Sequence, residues 1–132
     1  MRGRRSLRTP AALLAAGLLA LGGCGEDGPS GPGTLDGEVR ASEILGAVVV
    51  RIEGSGIERI GGTAGTRAFV GPVVGESRSV ILVGDGESDL RFEIDVQDVA
   101  GPRPQATVTS AVDALDEDVP GLNGVDVRFS IR

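Results

Sequence analysis

Leu90, Phe92, Ile94 and Val96 alternate without a break with Arg91, Glu93, Asp95 and Gln97. Near the end of the chain Val125, Val127, Phe129 and Ile131 alternate in the same way with Asp126, Arg128, Ser130 and Arg132. Successive side chains of a β-strand leave on opposite faces, so each run describes a strand with one face on a core and the other in water. Ile44–Ile52 and Ser79–Val83 are instead continuous, β-branched-rich runs, which predict central strands buried on both faces. Shorter apolar segments at Leu35–Arg40, Ile57–Ile60, Arg67–Val74 and Ala106–Val112 complete the set. No stretch sustains the 3.6-residue period of an amphipathic helix, and at most one helical turn is expected, near Val112–Glu117.

Turn residues punctuate these runs about every ten positions. Gly54-Ser55-Gly56, Gly61-Gly62, Gly84-Asp85-Gly86 and Gly101-Pro102-Arg103-Pro104 are expected to supply positive or fixed φ at turns. Seven or eight short strands at this spacing predict a single antiparallel β-sandwich over residues 35–132, with a closed barrel as the alternative. A domain of that size buries roughly 60–70% of its unfolded surface, enough for one core. With three Phe and no Tyr or Trp, that core must be built of Val, Ile and Leu.

The first 34 residues have a different character. Residues 1–23 begin with Arg2, Arg4, Arg5 and Arg8, continue through an uninterrupted Ala/Leu/Gly run from Ala11 to Leu21, and end on Gly22 and Gly23. Charged, apolar and small regions in that order make a secretory signal. The apolar run falls short of the roughly 20 residues needed to span a bilayer. Leu21-Gly22-Gly23-Cys24 resembles the lipobox of bacterial lipoproteins. That resemblance implies a diacylglyceryl thioether on Cys24, which becomes the mature N-terminus and the lipid-bearing residue. Two or more acyl chains hold a protein on a membrane stably, where one does not. Residues 24–34 then read as a Gly/Pro-rich tether without a large apolar side chain before Leu35.

Gly46-Ala47-Val48-Val49-Val50 leading to Gly54-Ser55-Gly56-Ile57, and Val83-Gly84-Asp85, extend the likeness into the mature part. Lipobox, tether and Val-rich domain together resemble short lipoproteins of high-GC environmental bacteria, whose architecture is similar to cohesin-like and other Ig-like modules. The resemblance implies a sandwich displayed in the cell envelope, outside the cytoplasm, and carries no catalytic residue over.

Composition narrows the functions open to such a domain. The chain has no His, Lys, Tyr or Trp, and Cys24 is its only Cys. The commonest general bases, Schiff-base amines and thiol nucleophiles are therefore missing from the mature domain, as are the ligands of a His/Cys zinc site. All 19 acids lie after Cys24 with nine of the 13 arginines, a net of −10. So acidic a domain repels phosphate backbones, which argues against nucleic acid as a partner.

Acids are abundant enough to raise two further chemistries. Asp85, Glu87 and Asp89 alternate as in a calcium loop, and Asp113, Asp116 and Asp118 form a second acidic stretch. In the first the EF-hand pattern breaks, with Leu90 at the glycine position and Val96 where a bidentate Glu belongs, so a solvated turn is its leading reading, and solubility with protection of a strand edge is that of the second. Paired carboxylates also cleave glycosidic bonds, but no pair stands out and no aromatic platform exists to bind sugar. The sequence thus predicts a non-enzymatic, cofactor-free module that is anchored by lipid and either binds an envelope protein or serves a structural role. A carbohydrate or calcium-binding module is the alternative, and a carboxylate hydrolase the third.

Overall fold

The computed structural model describes residues 28–132, so the signal segment and Cys24 lie outside the described residues. Eight strands follow in order: β1 (Gly33–Arg40), β2 (Leu45–Glu53), β3 (Ile57–Thr63), β4 (Arg67–Val70), β5 (Ser77–Val83), β6 (Arg91–Val96), β7 (Gln105–Asp113) and β8 (Asp126–Ile131). They form two antiparallel sheets of four, ordered β3-β6-β1-β8 and β4-β5-β2-β7. Both sheets keep open edges, which makes the fold a sandwich and sets aside the barrel. Only β4 and β5 are joined as a hairpin within one sheet, and every other link crosses to the opposite sheet.

The alternating runs predict the inward faces well. Val48, Val50, Ile52, Val80 and Leu82 meet Leu35, Val39, Phe92 and Ile94 across the sandwich, all nearly or fully excluded from solvent. One inward position is a glycine. Gly37 stands opposite Phe92 on one side and Phe129 on the other. The two rings meet edge to face over it, with centroids 5.9 Å apart at 82°. A Cβ at Gly37 would enter the Phe92 ring, so the scarce aromatic volume of this core depends on that residue having no side chain.

Two expectations need correction. Ile44–Ile52 and Ser79–Val83 are not buried on both faces. A sandwich has only two layers, so Arg51 and Ile81 face outward between buried neighbours. Gly61 and Gly62 make no turn; they lie in β3, paired with Glu93 and Phe92. The turn falls at Ala64 and Gly65, with φ of 51° and 83°, closed by Thr66 N–H donating to the Thr63 carbonyl at 3.0 Å. That tight return brings the Thr66 carbonyl onto the position a Gly62 Cβ would occupy, which explains the glycine in the strand. The segment near Val112–Glu117 holds a hydrogen-bonded turn and no helix.

The ordered chain also starts earlier than Leu35. Gly31 N–H donates to Asp98 Oδ1 at 2.8 Å, and the Gly31 carbonyl accepts from Val99 N–H at 2.9 Å. The sandwich is therefore fastened from Gly31, and β1 opens at Gly33.

Candidate functional site

The strand directions sort the links to two ends. Residues 41–44, 64–66, 84–90 and 114–125 lie at one end, and residues 54–56, 71–76 and 97–104 lie at the other, with Gly31 and Arg132. The first set carries Glu43, Asp85, Glu87, Asp89, Asp116, Glu117 and Asp118 and no arginine. The second carries Glu76 and Asp98 against Arg103 and Arg132. The molecule is thus polarised along its strands, strongly acidic at the end opposite Gly31.

Both predicted calcium candidates sit at the acidic end. Asp85, Glu87 and Asp89 occupy the β5–β6 link, while Asp113 closes β7 and Asp116 and Asp118 follow it. The two segments adjoin, since a Cβ at Gly86 would lie 3.5 Å from Ala114 Cβ. Their carboxylates do not converge: among the described residues no three acids are placed to hold a metal ion. Asp85 Oδ1 instead accepts from the N–H groups of Glu87 at 2.9 Å and Ser88 at 3.1 Å. These N–H groups, with the Ser88 hydroxyl, hold the Asp85 carboxyl below the usual carboxylate range. Asp113 Oδ1 likewise accepts from Leu115 N–H at 2.8 Å and Glu117 N–H at 3.0 Å. Each loop uses its leading aspartate to fold itself. Cys24 lies outside the described residues.

The two outward faces differ sharply. On β3-β6-β1-β8 the exposed side chains form a lattice of ion pairs. Arg59 donates to Glu93 and Asp95 at 2.7 Å each, and Arg132 reaches Asp36 at 2.6 Å and Glu93 at 3.0 Å. Asp36 and Glu93 stand directly opposite on neighbouring strands, a repulsive placement that the Arg132 guanidinium bridges. The Asp95 carboxyl is lowered by its hydrogen bond from Arg59 and then by that from Thr34. A shallow groove of about 500 Å³ runs over this face, lined by Asp36, Glu38, Arg91, Arg128 and Arg132 among others. Its acids face guanidiniums, and the shifted carboxyls of the domain, Asp85, Asp95 and Asp98, all move down, away from what a general acid needs.

On β4-β5-β2-β7 one outward row is largely apolar, beside a polar row of Ser79, Arg51 and Thr107. Phe69 pairs with Ile81, Ile81 with Val49, and Val49 with Ser110. The next row runs Arg67, Val83, Ala47 and Val112. Phe69 is 56% exposed and Ile81 44%. Below them, at the end that holds Gly31, the β4–β5 hairpin leaves Val73 at 54% and Val74 at 75%. Sequence reasoning missed this surface because it assigned Val49 and Ile81 to strands buried on both faces, and Phe69, Val73 and Val74 to a further strand at Arg67–Val74. One signal was present: Gly71-Pro72 and Gly75 bracket Val73-Val74 as turn residues bracket a loop tip.

Fold and surface together define a class: a small antiparallel β-sandwich with one charged face, an apolar patch on the other face and an acidic end. Comparison with known proteins returns no matching family, no similar curated protein and no similar solved structure.

Proposed function

We propose that this chain is an exported lipoprotein, cleaved before Cys24, anchored to a membrane of the cell envelope by a diacylglyceryl group on that residue. Its sandwich acts there as a non-catalytic interaction module whose partner is another envelope protein. The observation that carries the interaction reading is the asymmetry of the two faces. Solvated sheet faces favour charged and polar side chains, as the β3-β6-β1-β8 face shows, so the apolar row Phe69–Ile81–Val49 calls for a cover. The absence of His, Lys, Tyr and Trp from the chain supports a role without catalysis.

The test uses the domain as bait on detergent-solubilised envelope, with and without calcium. A saturable partner is expected that is lost on Ile81→Asp and kept on Arg128→Glu, which alters the opposite face. Equal binding by both variants would remove the apolar face from the reading. Metabolic labelling with a fatty-acid probe tests the anchor, and Cys24→Ser must abolish it.

A further inference from the structure

The β4–β5 hairpin projects at the end of the sandwich where the chain enters. Val74 and Ser77 exchange backbone hydrogen bonds at 2.8 and 3.1 Å around the two-residue turn Gly75–Glu76, with Gly75 at φ 65°. Gly54 N–H donates to the Glu76 carbonyl at 3.0 Å, which ties the tip to the neighbouring link. Held on both sides, Pro72, Val73 and Val74 remain turned to solvent, and Val74 is among the most exposed apolar side chains of the domain at 75%. Arg51 and Arg78 line the hollow beside Pro72 and Val74. Arg51 is paired with Glu53 at 2.9 Å, whereas Arg78 has no acidic partner among the described residues and its Nε is buried without a hydrogen bond. The hairpin link itself carries one charge, Glu76, and Arg78 follows at the start of β5.

Geometry says what can cover this tip. Seven Cα steps separate Cys24 from Gly31, a reach of about 25 Å at full extension and about 15 Å as Gly-rich coil. The acidic links stand a strand-length further away, about 25 Å for the eight residues of β1. A domain tethered at Cys24 therefore brings its hairpin end to the bilayer far more readily than its acidic end. The charge distribution acts in the same direction, because anionic headgroups repel the seven acids of the far links. Aliphatic side chains at the tip with the Arg78 guanidinium just behind them match the order of a bilayer surface, acyl chains below phosphates.

We propose that Pro72, Val73 and Val74 rest in the surface of the bilayer that carries Cys24, holding the sandwich upright with its acidic end outward. The inference rests on the lipid-anchor reading of Cys24 and adds an orientation to it. The apolar row on the β4-β5-β2-β7 face then stands roughly perpendicular to the membrane, open to a neighbouring envelope protein.

The experiment uses the full lipidated chain in vesicles of phosphatidylethanolamine and phosphatidylglycerol. Acylation leaves Cys24 without a free thiol, so a single introduced cysteine takes a spin label uniquely. Labels are placed in Val74→Cys, Ser110→Cys and Leu115→Cys, all exposed positions, and collision with oxygen is compared with collision with a water-soluble nickel chelate. Oxygen should dominate at Val74, and the chelate at Ser110 and Leu115. Adding Val73→Asp should return the Val74 label to the aqueous pattern. An aqueous Val74 label on a chain whose mass carries the acyl groups would overturn the tip contact alone. Oxygen dominance at Ser110 would mean the domain lies on its apolar face, which also overturns the proposal. A chain without acyl groups would overturn the anchor and this inference with it.

Discussion

Gly37 and Asp98 show how much of this domain hangs on single positions. Gly37 makes room for the Phe92 ring, and Phe129 packs edge-on against that ring from the other side. Gly37→Ala should cost about 1–3 kcal/mol, the usual range for forcing a methyl group into a filled core, read as a lower melting temperature. An unchanged melt would mean the ring moves aside freely. Asp98 fastens the start of the domain. Its carboxyl is lowered by the Gly31 N–H and then by the Ala100 N–H. Because the folded value is depressed, the attachment is complete above about pH 4 and is lost as pH falls through the lower folded value. Protection of the Gly31 and Ala100 amides from hydrogen exchange should stay level from neutral pH to about pH 5, then decline below about pH 4. Asp98→Ala should remove it already at neutral pH, and protection equal to the wild type would contradict this role.

At the scale of the element, β5 separates stability from interaction along one strand. Leu82 is fully buried and Ile81, its neighbour, is 44% exposed. Leu82→Ala should destabilise by about 2–5 kcal/mol, the cost of a cavity in a packed core. Ile81→Asp should stay within about 0.5 kcal/mol of wild type in urea unfolding, as most surface changes do, while abolishing capture of the partner. If Ile81→Asp unfolds the domain, the apolar row serves packing and the interaction reading loses its carrier. The edge strand β4 is only four residues long and runs into Pro72, which has no N–H to offer a further strand. The sheet face is thus better suited than this edge to engage a partner.

Across the whole molecule, charge is segregated by end and apolar surface by face. The acidic end carries Asp85 and Asp113 with their carboxylates already engaged by their own loops, and no three acids there are placed to hold a metal among the described residues. Calcium and magnesium at equal ionic strength should therefore shift the melting temperature alike, through screening of like charges. A rise specific to calcium, absent with magnesium and reversed by chelator, would establish a site at this end. If Cys24 carries the proposed lipid, the same polarity favours one orientation of the domain, with the acidic links away from the membrane.

The strands were legible in the sequence because period-2 alternation is a local property that the pleat imposes wherever one sheet face is buried. Leu90–Val96 and Val125–Ile131 mark β6 and β8 to within a residue, and the eight-strand sandwich follows from the spacing of such runs. Lipid on Cys24 is an expectation of a different kind, carried by four adjacent residues that resemble a lipobox. Three features were not. A continuous apolar run reads alike whether one face or both are covered, so the exposure of Ile81 and Phe69 depended on the number of layers. The glycines at Gly61 and Gly62 looked like a turn, and only the close approach of Thr66 explains them within a strand. The gathering of seven acids at one end, with the Val73–Val74 tip at the other, is set by which links share an end. That follows from strand order and direction, which depend on long-range pairing that no local pattern encodes.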